Sequence, residues 1–120
     1  MLALALQAVA SFNLVCTGTE FAALGDRTTE RPLSVNYRID LEAGRYCTGD
    51  CSETSALVRV TPQELVMVSE TLPGTSRPSE ISVSRESGQL TWHIVSGDLS
   101  YEGFAHCERG PFTGFPRPRF

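Results

Sequence analysis

At 120 residues, with 41% of them apolar, the chain has room for one domain and one modest core. The formal charge of −4 is scattered along the sequence, and all the basic residues are arginine with no clustered basic face, which argues against nucleic-acid binding. No apolar run approaches the roughly 20 residues of a membrane-spanning helix, so no transmembrane segment is expected.

Residues 1–10 read as a short export signal. Leu2, Leu4 and Leu6 make an apolar stretch, and Ala8-Val9-Ala10 supplies a small-residue cleavage site with the cut before Ser11. A basic start is missing and Gln7 interrupts the stretch, so the pattern also fits a buried N-terminal helix or strand. Export predicts a periplasmic or secreted protein.

A short first strand follows at residues 12–16, closed by Thr17-Gly18; residues 19–24 fit either a helical turn or another strand. The clearest element spans residues 33–41. Leu33, Val35, Tyr37, Ile39 and Leu41 alternate there with Ser34, Asn36, Arg38 and Asp40, the period-two pattern of a strand with one face in a core. Residues 56–60 make a further strand ended near Pro62, which has no N–H for a ladder. Residues 64–69 resume at once and are apolar on both faces.

Pro73-Gly74 marks a loop over residues 71–78. Residues 81–85 and 89–95 then pair as a hairpin across Glu86-Ser87-Gly88, and Gly97-Asp98 turns the chain into a last strand ending at Cys107. Residues 110–120 hold too much proline and glycine for regular structure, and their three phenylalanines predict a tail lying against the body. The division is therefore a signal at 1–10, a β-domain at 11–109 and a tail at 110–120. The fold class is all-β: an antiparallel meander closing into a small barrel or sandwich, braced by disulfides.

The four cysteines allow three pairings. Cys47 and Cys51 flank the turn-like Thr48-Gly49-Asp50, and Cys16 and Cys107 end the first and last strands, which are neighbours in a closed meander. Bridges Cys16–Cys107 and Cys47–Cys51 are expected. The alternative is zinc held by Cys47, Cys51, Cys107 and either His93 or His106. Structural zinc sites usually present two close ligand couples, and only one is visible here.

Catalytic chemistry has little support. Asp98, Ser100 and His106 are the available Ser/His/Asp set, with Glu102 and Glu108 nearby, but no G-x-S-x-G elbow surrounds a serine. No phosphate-cradling glycine motif is present, and no cofactor is expected. Trp92 reads as core, with a ligand platform as its functional alternative, and His93 as a solvated residue on the opposite face. Arg117-Pro118-Arg119 fits an extended recognition segment or a plain soluble end.

Residues 12–18, residues 37–41 leading to Tyr46-Cys47, residues 81–85 with Ser87-Gly88, and Gly103 to Cys107 followed by residues 111–116 together resemble small exported proteins of alphaproteobacteria, notably sphingomonads. The shared motifs are cysteines, turns and a core strand. The resemblance implies an envelope location and carries no catalytic residues. The expectation is a non-enzymatic periplasmic or secreted β-domain that binds a protein partner or a small ligand. A small envelope hydrolase or a purely structural envelope protein are the alternatives.

Overall fold

A computed structural model describes residues 10–71 and 78–116. The expected signal at 1–10 lies, but for Ala10, outside the described residues, as do most of the loop at 71–78 and Arg117 and Arg119 of the tail. The described chain is all-β: β1 Ser11–Leu24, β2 Arg27–Asp40, β3 Arg45–Thr48, β4 Ser55–Ala56, β5 Arg59–Val60, β6 Glu64–Glu70, β7 Ser79–Ser84, β8 Gln89–Ser96 and β9 Leu99–Gly110. They form one antiparallel sheet in the order β4-β3-β2-β1-β9-β8-β7-β6-β5, curled into a half-barrel.

The predicted meander is present, and its first and last strands do pair. The opening of the barrel lies elsewhere, between β4 and β5. Residues 56–60, expected as one strand, are split between these two edges. Leu57 donates its N–H to Gly44 O on one side (2.9 Å), and Val58 donates to Val66 O on the other (2.8 Å). The chain itself crosses the gap, so no single ladder can hold this stretch.

β1 and β2 are longer than expected. The first strand does not stop at Gly18; it runs on to Leu24 and turns through Gly25-Asp26 into β2, with Leu24 paired to Arg27. Gly25 has φ 61°, as a two-residue hairpin turn requires at its first position. Gly18 is in the strand for a steric reason: a Cβ there would lie 1.9 Å from the Phe104 carbonyl oxygen of β9. Pro32 is tolerated because residues 27–35 of β2 pair with β1 alone. Asn36 O faces away from β1 to accept the Gly49 N–H, and alternation puts the Pro32 nitrogen on that same open side.

The core occupies the Ser11 end of the long strands. Leu14, Cys16, Tyr37, Ile39, Leu65, Met67, Val83, Leu90 and Ala105 meet there, sent inward by the alternation of their strands. A bulge in β6 between Val66 and Val68 explains its two apolar faces. The register slips by one, so Leu65 stays opposite Val83 while Val68 comes opposite Ile81. Leu65 and Met67 both join the core, and Val68 packs against it.

Beyond Gly18 the strands β2-β1-β9-β8 continue as an arm with little core. Residues 27–32 are all exposed. The exception is Glu20, only 4% exposed on the inner face. Arg31, its partner across the ladder, donates Nε–H to Glu20 Oε1 at 2.6 Å and lies over the Tyr101 ring at 5.6 Å. At the opposite end residues 111–116 cross the outer face, where Asn13 bonds Thr113 and the Arg38 guanidinium donates to Gly114 O.

Candidate functional site

The cysteines take the pairing expected from strand order. Cys16 and Cys107 are direct cross-strand partners, bonded with Cα atoms 4.0 Å apart, and Cys47–Cys51 closes over Thr48, Gly49 and Asp50. The first bridge does not seal an open seam, since β1 and β9 are paired throughout; it staples an existing ladder. The thiolates that a zinc set from Cys47, Cys51 and Cys107 needs are all taken up in disulfides. Among the described residues no group of three His, Cys, Asp or Glu is placed to hold a metal.

Asp98, Ser100 and His106 are not brought together. Asp98 sits in the turn between β8 and β9, while Ser100 and His106 are six residues apart on one face of β9, about 20 Å at strand rise. His106 instead has Nε2 2.9 Å from Glu108 Oε1 on the exposed outer face. His93 departs from its expectation as a solvated residue. Its side chain is 13% exposed and lies across the ladders from Glu80 and Glu102, with Nδ1 3.2 Å from Glu102 Oε1. That is ion-pair range without the alignment of a hydrogen bond.

The structure draws together a different set of residues, in a cleft of about 350 Å³ between β2–β3 and β6–β8. Tyr37, Tyr46, Met67, Ile81 and Trp92 line it, each from a different strand. Alternation within β2, β7 and β8 turns Tyr37, Ile81 and Trp92 inward, and the β6 bulge brings Met67 to the same space. Tyr46 reaches across the opening of the barrel and donates its hydroxyl to the Met67 carbonyl at 3.2 Å. The two tyrosine rings meet edge to face at 6.1 Å.

The rim of the cleft is polar: Thr48 at the end of β3, Ser52 and Glu53 in the segment joining β3 to β4, and Ser55 at the start of β4. The Cys47–Cys51 bridge shapes this rim. It holds Cys51 at φ 56°, a conformation that a non-glycine residue rarely takes, while the Cys51 N–H closes a turn on Thr48 O at 2.9 Å. Both cysteines are buried. The smaller disulfide is therefore a support for the cleft wall as well as a turn pin.

The floor of the cleft carries no charged side chain, and its rim carries one carboxylate, Glu53. Burial pushes the Tyr37 hydroxyl well above the usual tyrosine range, and the neighbouring Tyr46 adds to the shift. Burial also raises Tyr46, partly offset by a hydrogen bond with Ser55. The Trp92 Nε1–H is shielded from water and has no acceptor, a state that costs about 1–3 kcal/mol for a buried donor. Sequence reading placed Trp92 in the core with a ligand platform as its alternative, and it missed Tyr37, Tyr46 and Met67 as a group. The one available signal was Tyr37 on the inward set of the clearest strand.

No protein-family model, curated protein or solved structure matches this chain.

Proposed function

We propose that this protein is a non-enzymatic, extracytoplasmic binding domain that takes a small, uncharged ligand into the Tyr37–Trp92 cleft. One observation carries the reading: Tyr37, Tyr46, Met67, Ile81 and Trp92 converge from five different strands on one cleft of ligand size. A flat apolar molecule bearing a carbonyl or ether oxygen suits it. The rings take the body of the ligand, and the oxygen accepts a hydrogen bond from the Tyr37 hydroxyl, which has no partner among the described residues. An anionic ligand fits poorly, since the burial that raises both tyrosines penalises a negative charge and Glu53 stands on the rim. Two disulfides fit an oxidising compartment, and among the described residues no helix is long and apolar enough to cross a membrane. The dispersed Asp98, Ser100 and His106 support a binding role over hydrolysis.

Trp92 is the single tryptophan, so its emission reports directly on the cleft. The chain recovered from the periplasmic fraction, expected by mass spectrometry to begin at Ser11, is titrated with neutral aromatic lactones and amides. A saturable change in Trp92 emission is expected, with affinity falling about five- to tenfold in Tyr37→Phe for the loss of one hydrogen bond. A full-length cytoplasmic chain overturns the location. Unchanged emission across the panel, or turnover of its members, overturns the binding role.

A further inference from the structure

Beyond the inward residues Ile81 and Val83, β7 ends at Ser84 and its turn opens with Arg85; in β9 the inward row of Ala105 and Cys107 continues to Arg109. Both arginines line one cavity of about 330 Å³ whose apolar lining includes Phe12, Leu14, Leu65 and Val83. This cavity lies toward the Ser11 end of the strands and shares no lining residue with the aromatic cleft.

The charges around it are unbalanced in a chain that is acidic overall. Arg31 and Arg59 are matched to Glu20 and Glu64, but among the described residues neither Arg85 nor Arg109 has a carboxylate partner. Glu108, adjacent to Arg109, projects from the other face of the strand and meets His106. Arg85 donates through Nη1 to Thr61 O at 2.8 Å. That contact orients the guanidinium and leaves its other N–H groups for a second acceptor.

We propose that this cavity is a separate binding site for a small organic anion with an apolar body, such as a medium-chain carboxylate. The tail lies along Phe12, Leu14, Leu65 and Val83, and the carboxylate is gripped by the forks of Arg85 and Arg109. An apolar lining with two unmatched guanidinium groups at its mouth selects for that combination. The lining alone does not distinguish an acid from an alcohol, and the arginines alone do not distinguish a long acid from a short one.

The test is a titration of the ¹⁵N-labelled full chain with octanoate, octanol and acetate, following the amides of Leu14, Leu65, Val83 and Gly88. Octanoate is expected to shift these amides saturably, with octanol at least about tenfold weaker for the lost charge-assisted contact and acetate at least about tenfold weaker for the lost apolar burial. Arg109→Gln, at an exposed position, is expected to weaken octanoate about tenfold and to leave octanol unchanged. Should that variant lose its native spectrum, wild-type salt dependence serves instead: octanoate binding weakens with salt and octanol binding does not. Octanol or acetate matching octanoate overturns the proposal, as does octanoate leaving these four amides unmoved.

Discussion

Below Gly18 the paired strands β1 and β9 carry a core and a disulfide; above it the same two strands carry neither. In the body, Leu14, Cys16, Ala105 and Cys107 are all buried, and partners from β2, β6, β7 and β8 close over them. In the arm, the ladder runs on unbroken to Leu24 and Leu99, yet the inner face holds one buried carboxylate with its arginine, and Leu24 is 52% exposed. Backbone pairing is equal in the two regions, so it does not account for their difference. Side-chain burial does, because a ladder hydrogen bond contributes little net stability once its exchange with water is counted.

The largest expected effect is on the body. Opening Cys16–Cys107 by a double serine substitution should cost about 4–5 kcal/mol by loop-closure entropy, and opening Cys47–Cys51 about 2 kcal/mol. Urea denaturation of the two variants gives the order, and a reversed order would show that the cleft rim contributes more than the central staple.

Alkaline pH should act next, and again on the body. An unfolded tyrosine gives up its proton near pH 10, while folded Tyr37 holds its proton to higher pH. Between those values the native state binds more protons than the unfolded one, so stability falls as pH rises. The contribution is complete below about pH 10 and declines above it. Stability measured from pH 8 upward checks this, with Tyr37→Phe expected to flatten the decline.

The smallest effect belongs to the arm. Glu20→Gln removes the buried carboxylate that matches Arg31 and should cost about 1–2 kcal/mol. Because Arg31 is largely exposed, the loss stays at the low end of the range for charged hydrogen bonds. Amide exchange should quicken in residues 19–24 and 99–103 and hold steady around Leu90. Equal acceleration at Leu90 would show that arm and body open as one unit.

The same division decides what was legible in the sequence. Residues 33–41 announced themselves because one face is buried, and β7 and β8 did so for the same reason. The arm did not. Residues 27–32 have no buried face to impose alternation, and Gly18 looked like an end when it is a point of close approach to β9. The bulge in β6 hid its register behind an unbroken apolar run. The cleft was illegible for a topological reason: Tyr37, Tyr46, Met67 and Trp92 converge only once the sheet has curled, and no spacing along the chain encodes that.

The sheet order has one more consequence. The strands first and last in the chain are central in the sheet, and both edges come from the middle of the chain, where Leu57 and Val58 join them. The half-barrel therefore opens at an interior point of the chain. A rearranged gene that linked Gly110 to Ser11 and began at Val58 would read as a plain up-and-down ribbon, each strand beside its successor. Its most distant ladder would become a local hairpin, favouring faster folding. The bridge that now spans a sequence separation of 91 would close only a short loop and lose much of its entropic leverage. The central disulfide therefore compensates for where the chain is cut, whereas the fold itself would be satisfied with a different beginning.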